Sequence, residues 1–244
     1  MKKLLRTIFI TSLFSSATTA QTHVKTGLRA GVNISNYQYH YPANFPNTSV
    51  ISEELNNAAL LTLAVPVEVA FTRHFAVQAE LNFIQKGYKT HYETVAKGGL
   101  AGAFDKKLVV NWLEIPFLTK IKFGTKTGVS GGMYFGPSMS FALSGHIKYA
   151  TVNNFAGPTV RESGIYTIKF PKEHTPFDWG FNLGGDINYR RFFFDMRYQL
   201  GLKDMDTWNS ANNSGLSITT RGLALSVGYW LFSTVKKSLK VVKK

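Results

Sequence analysis

The stretch Leu61-Thr62-Leu63-Ala64-Val65-Pro66-Val67-Glu68-Val69-Ala70-Phe71-Thr72-Arg73-His74-Phe75-Ala76-Val77-Gln78-Ala79-Glu80-Leu81-Asn82-Phe83 decides the fold of this 244-residue chain. Leu61, Leu63, Val65, Val67, Val69 and Phe71 alternate with Thr62, Ala64, Pro66, Glu68 and Ala70. After Thr72-Arg73-His74 the alternation resumes, with Phe75, Val77, Ala79, Leu81 and Phe83 against Ala76, Gln78, Glu80 and Asn82. An apolar period of two is the mark of a β-strand, and three residues between two such runs predict a tight hairpin.

The same period runs outward in both directions. Before it, Leu28, Ala30, Val32 and Ile34 alternate with Arg29, Gly31, Asn33 and Ser35. After it, Leu113, Ile115, Phe117, Ile121 and Phe123 lie on one face, with Trp112, Glu114, Pro116, Lys120 and Lys122 on the other. Next come Met133, Phe135, Met139, Phe141 and Leu143, then Trp179, Phe181, Leu183, Ile187 and Tyr189. Arg190-Arg191 turns the chain into Phe192, Phe194, Met196, Tyr198, Leu200 and Leu202, and a last strand carries Leu223, Leu225, Val227, Tyr229 and Leu231. No segment holds a sustained helical period or 18 uninterrupted apolar residues.

These eight strands are joined by connections that alternate long and short: 36–60, 72–74, 88–110, 124–128, 145–177, 190–191 and 203–219. All the short connections therefore fall at one end. An even strand number, segments near ten residues, and long loops at one end form the signature of an up-and-down antiparallel transmembrane β-barrel with short periplasmic turns and long external loops. Phe71, Phe75, Phe123, Tyr189, Phe192 and Tyr229 are expected to ring its periplasmic interface. Phe83, Tyr88, Trp112, Phe141 and Trp179 are expected at the outer one, where aromatics favour the headgroup level. A soluble barrel or β-sandwich shares the period but turns its apolar face inward. The second face here is mostly Gly, Ala, Ser and Asn, which suits a crowded interior better than a water-exposed surface.

Composition agrees with burial in something other than water. Charged residues are 17% and aromatics 14%, against a hydrophobic fraction of 44%. Cys is absent, which excludes disulfides, thiolate metal sites, cysteine nucleophiles and a lipidated-cysteine anchor. Lys2, Lys3 and Arg6 precede the short apolar run Leu4–Phe14 and small residues to Ala20, the pattern of a cleavable secretory signal over residues 1–20. The barrel is then expected over 21–232. A basic tail, 233–244, carries Lys236, Lys237, Lys240, Lys243 and Lys244. With Arg73, Lys126, Arg190 and Arg191 the tail would make a positive periplasmic rim facing anionic lipid or cell-wall material, or else be a solvated end. Nucleic acid is not an expected partner.

An eight-stranded barrel is just wide enough for its side chains to fill it. Arg29, Lys86, Lys120 and Arg197 with Glu68, Glu80, Glu114, Asp186 and Asp195 are accordingly expected to form an internal ion-pair network. A narrow hydrophilic channel lined by the same groups is the alternative. The alternation persists through Tyr88, Thr90 and Tyr92, resumes at Leu108, and reappears at 165–170, so part of the sheet is expected to project into the medium, offering a strand edge to a partner or forming ordinary loops. His40, His91, His146 and His174 lack a ligand spacing, so no metal or other cofactor is expected. Ser138 and Ser140 lack a triad context, and no enzyme is expected.

Several segments together resemble the PorT-like porin family of outer-membrane β-barrels. They are Gly27-Leu28-Arg29-Ala30-Gly31-Val32-Asn33-Ile34-Ser35-Asn36, Leu113-Glu114-Ile115-Pro116-Phe117-Leu118-Thr119-Lys120, Phe181-Asn182-Leu183-Gly184-Gly185-Asp186, Arg197-Tyr198-Gln199-Leu200-Gly201-Leu202 and Leu223-Ala224-Leu225-Ser226-Val227-Gly228-Tyr229. The resemblance spans nearly all of the mature chain. It implies a monomeric barrel in the outer membrane of a Gram-negative bacterium, with some members similar to parts of a protein-secretion apparatus. Its expected role is envelope or surface interaction through the external loops.

Overall fold

The computed structural model describes residues 23–40, 54–96, 99–124, 128–153, 159–205 and 217–235. The expected signal segment 1–20 and the tail residues 236–244 lie outside them. Among the described residues there are nine strands: β1 (His23–His40), β2 (Glu54–Ala70), β3 (Phe75–Ala96), β4 (Gly99–Gly124), β5 (Val129–Asn153), β6 (Val160–Thr167), β7 (Phe177–Tyr189), β8 (Phe192–Gly201) and β9 (Ser217–Val235). Every pairing is antiparallel, and β1 pairs with β9 to close a ring of eight. β6 stands apart from the ring; among the described residues it pairs only with the far end of β5, above the segment that β7 occupies. Closure leaves no open edge within the ring, so backbone donors and acceptors there find partners without water.

Short turns gather at one end. Arg190 takes a positive φ of 56° in the two-residue link between β7 and β8, the left-handed conformation that such tight hairpins require. Ser233, Thr234 and Val235, expected to begin the tail, continue β9 instead, opposite Lys25, Val24 and His23. β1 starts early enough to give them a backbone partner.

The apolar face points outward. Leu63, Val65, Phe117, Met133, Phe181 and Leu183 are exposed, while Glu68, Glu80, Glu114, Lys120 and Arg197 are buried. A soluble barrel or sandwich has the opposite arrangement, and that alternative is set aside. Phe71, Phe75, Phe123, Tyr189 and Phe192 lie on the outer wall near the short turns, and Tyr229 packs edge-on against Phe192 with ring centroids 5.0 Å apart. Trp179 and Phe141 are exposed toward the other end.

Trp112 and Tyr88, expected in the outer aromatic ring, are not on that wall. Both are buried, Trp112 completely, inside the barrel's long-loop end. Strand parity decides this: Trp112 shares a face with Glu114 and Lys120, and Tyr88 shares one with Ile84 and Lys86. Near Phe83–Ile84 and Trp112–Leu113 the polarity of the two faces exchanges. Towards the turns, apolar residues face out and polar ones in. Beyond these points Ile84, Tyr88, Leu108 and Val110 face in, while Gln85, Asn111 and Ser144 form a hydrogen-bonded ladder outside at 2.9 and 2.8 Å. Much of the connection expected over 88–110 is thus a continuous hairpin of β3 and β4.

If the outward belt lies in lipid, a charge placed at its middle should cost far more than one above it. Leu183→Arg, at the centre of β7, is expected to lower unfolding stability in lipid vesicles by about 2–4 kcal/mol, and Ser144→Arg by at most about 1 kcal/mol. Urea titration of the folded barrel measures both.

Candidate functional site

Inward positions of the ring carry a stack of ion pairs in three levels. Nearest the short turns, the Lys120 ammonium meets Glu68 at 2.8 Å and also Asp186, while Lys122 reaches the other Glu68 oxygen at 2.5 Å. Gly132 makes room for the group: a Cβ there would fall 2.5 Å from Lys120 Cε. In the middle level Arg197 forms a two-pronged pair with Glu80, its Nη1 2.9 Å from Oε2 and its Nη2 2.7 Å from Oε1. Arg29 shares Glu80 Oε2 at 2.9 Å and also pairs with Asp195. The Tyr134 hydroxyl donates to Asp195 Oδ2 at 2.5 Å, and its ring lies 5.0 Å from the Arg197 guanidinium. In the third level Lys86 meets Glu114 at 3.2 Å and Asp178 at 3.5 Å.

The nine charged residues named from the sequence are therefore all buried in the ring, but in three groups rather than one. Sequence reasoning left out Lys122, Tyr134 and Asp178. Each occupies the inward parity of its strand, and that parity was the available signal.

Above the third level the interior becomes apolar. Tyr37, Ile84, Tyr88, Leu108, Val110, Trp112, Ile168 and Met205 form one cluster. Lys86 Nζ lies 5.6 Å from the Trp112 ring centroid, so the cluster sits directly on the ionic stack. Two connections supply its lid. Residues 168–176 are tied down by Ile168 N–H donating to Gly145 O at 2.9 Å and Thr175 N–H to Met205 O at 3.2 Å, and Met205 N–H donates to Ile218 O at 2.8 Å. His174 is buried in the lid, its Nδ1 2.9 Å from Thr175 O and its Nε2 2.9 Å from the Tyr37 hydroxyl. A carbonyl only accepts, so Nδ1 carries a proton, and in the neutral ring Nε2 accepts from Tyr37.

Outside the membrane belt, on the projecting hairpin, His91 Nδ1 lies 2.8 Å from Asp105 Oδ1. His40, His91, His146 and His174 do not converge, and among the described residues no group of three or more His, Cys, Asp or Glu could hold a metal.

The family model for the outer membrane protein beta-barrel domain matches residues 19–207. The chain belongs to this family. It is an outer-membrane β-barrel, with the short turns on the periplasmic side and the long connections outside. Solved structures similar to it include Ail, the attachment invasion locus protein of Yersinia pestis, at 12% identity, covering 87% of this chain and 99% of that one, with a TM-score of 0.39. OprG from Pseudomonas aeruginosa is similar at 10% identity over 88% and 97% of the two chains, with a TM-score of 0.39. Neisserial surface protein A follows at 12% identity over 84% and 96%, with a TM-score of 0.36. No curated protein matches the sequence.

Two outcomes test the site's energetics. Removing one member of a buried ion pair strands the other, at a cost of about 3–5 kcal/mol. Glu80→Gln, facing both Arg29 and Arg197, should lose that much by urea unfolding in detergent, and the double change Glu80→Met with Arg197→Met should lose less than the sum of the singles. On the external hairpin, hydrogen bonding to Asp105 and to Glu93 raises the His91 pKa above its ordinary 6.5. A raised histidine stabilises the hairpin below its unfolded pKa, and the contribution is lost as pH climbs through the raised value. NMR titration should find the His91 midpoint above 6.5, and Asp105→Asn should lower it.

Proposed function

We propose that this barrel is a closed, monomeric scaffold of the Gram-negative outer membrane, exported by a cleavable signal over residues 1–20, that acts in envelope or surface interactions through its external loops. The single observation that carries this reading is the filled interior: three ionic levels capped by the apolar cluster around Trp112 and His174. A side-chain-filled ring has nothing to conduct, which leaves the projecting β3–β4 hairpin, the β5–β6 hairpin and their neighbouring loops as the parts able to meet a partner. β6 adds support, since among the described residues no strand pairs with its outer edge, the kind of edge that accepts an added strand. The resemblance to the PorT-like porin family places a role beside a secretion apparatus within this proposal. Phe71, Phe75, Phe123, Tyr189, Phe192 and Tyr229 then anchor the periplasmic rim, and Trp179 with Phe141 the outer one. No catalytic or cofactor role is assigned to any residue.

A narrow channel is the second reading. It rests on buried polar atoms without a hydrogen-bond partner along the interior, among them Asn33 Oδ1, Asn82 Nδ2, Asn182 Oδ1 and Gln199 Oε1. Ordered water could link such atoms, but the apolar cap lies across their path to the outside.

The experiment is ion release from vesicles carrying the refolded mature chain. Release no faster than from protein-free vesicles is expected, with folding checked by heat-dependent gel mobility. Release abolished by Glu114→Leu would replace the scaffold by the channel. Deleting residues 92–103, the hairpin tip, should leave folding and tightness unchanged.

A further inference from the structure

Three lysines stand side by side on the projecting sheet. Lys89 of β3 is directly opposite Lys107 of β4, and Lys107 is directly opposite Lys148 of β5. Residues opposite one another across a sheet share a face, and like charges so placed are destabilising. The face is the outer one. Tyr88 and Leu108, the chain neighbours of Lys89 and Lys107, are buried in the interior cluster, and Ile147 beside Lys148 packs against it.

Among the described residues no carboxylate comes within 4.0 Å of any of the three ammonium groups. The acids nearest in register are Glu54 and Asp105, each opposite His91, and the Asp105 carboxylate is taken by His91 at 2.8 Å. Asn56 of β2, opposite Lys89, extends the row with an amide. Asn56, Lys89, His91, Asp105, Lys107 and Lys148 line an open cleft of about 560 Å³. Strands about 4.8 Å apart put the outer two lysines about 10 Å from one another, wide enough for more than one phosphate.

We propose that Lys89, Lys107 and Lys148 form an anion site for the phosphate groups of a glycolipid in the surrounding outer leaflet. The inference rests on the reading that this sheet projects outside the membrane, and it names one partner for that surface. Position favours a lipid over a soluble polyanion. Below, on the same strands and the same face, Val109 packs against Ala58 and Leu60 of β2, then comes the Gln85–Asn111–Ser144 ladder, and then Phe83, Leu113 and Phe141 of the lipid-facing belt. Lys89 is six residues past Phe83, about 20 Å along the strand and about 14 Å above the belt at a 45° tilt. A headgroup standing beside the barrel wall reaches that height sideways, whereas a ligand from solution would meet the loop tips first. Phosphate between the lysines converts their repulsion into charge-assisted hydrogen bonds.

The test uses the full chain refolded into phosphatidylcholine vesicles doped with phosphorylated or enzymatically dephosphorylated lipopolysaccharide. Glycolipid retained after mild detergent extraction is counted by native mass spectrometry. At least about tenfold more retention of the phosphorylated form is expected, falling with salt and lost in the triple variant Lys89→Gln, Lys107→Gln, Lys148→Gln. That variant should unfold at the same urea concentration as the parent or a higher one, because a repulsion is removed. This readout separates a binding row from a structural one. Lys107→Gln alone, which keeps two lysines, should lose several-fold and serves if the triple variant does not fold. Equal retention of both glycolipids, or unchanged retention by the variants, overturns the proposal. Displacement of the glycolipid by dissolved inositol hexakisphosphate at equal concentration overturns the lipid as the source. Ion release from the same vesicles reports on the closed interior independently, so failure of one reading is not mistaken for failure of the other.

Discussion

Within hydrocarbon a backbone amide has no water to fall back on, and each unpaired group costs several kcal/mol. The pairing of β1 with β9 meets that demand, and most of the molecule follows from it. Once the ring is closed, every second residue must point into a cylinder about one side chain wide on each side. The inward set must then fill that space without voids and satisfy its own polar atoms. Large charged groups do so here because small neighbours yield to them: Gly132 beside Lys120, and Gly184, where a Cβ would lie 2.6 Å from the Tyr134 hydroxyl.

An ionic filling is an odd choice on stability alone, since a buried pair seldom outperforms well-packed apolar side chains. Its advantage lies elsewhere on the chain's route. An apolar interior added to an apolar exterior would turn each strand into a continuous hydrophobic run, prone to pair or insert before the barrel forms. Alternation with charge keeps mean hydropathy at −0.07 even though the wall is lipid-facing. The ion pairs also fix register. A one-residue slip of β8 against β7 would carry Asp195 and Arg197 to the lipid side, where neither has a partner.

Strand parity made the ring, its turns and the nine interior charges legible in the sequence, because period two is a local property. The same parity would have named Lys122, Tyr134 and Asp178, which face inward beside charges that were named. It would also have kept Trp112 out of the aromatic ring. There an expectation about interfaces overrode the pattern that Trp112 itself belongs to. The lid was not legible. Ile168, His174 and Met205 sit in irregular connections far apart in the chain, and their convergence over the ionic stack depends on how 168–176 and 202–205 fold back. No periodicity encodes such a return.

The exchange of polarity along β3 and β4 explains why the large apolar residues change parity at Phe83–Ile84 while the alternation itself persists through Tyr88, Thr90 and Tyr92. Below the exchange the sheet is solvated by lipid on one side and by its own charges on the other. Above it the outer face is polar apart from Val109, which Ala58 and Leu60 of β2 cover, so the economical arrangement is that of any soluble sheet, with Ile84, Tyr88, Leu108 and Val110 turned in. Parity never changes across Phe83–Ile84; only the residue types assigned to the two parities do. Two adjacent apolar residues in an otherwise alternating strand therefore mark the height at which the solvent changes. That single phase shift sets both the level of the apolar cap inside and the level at which lysines become affordable outside.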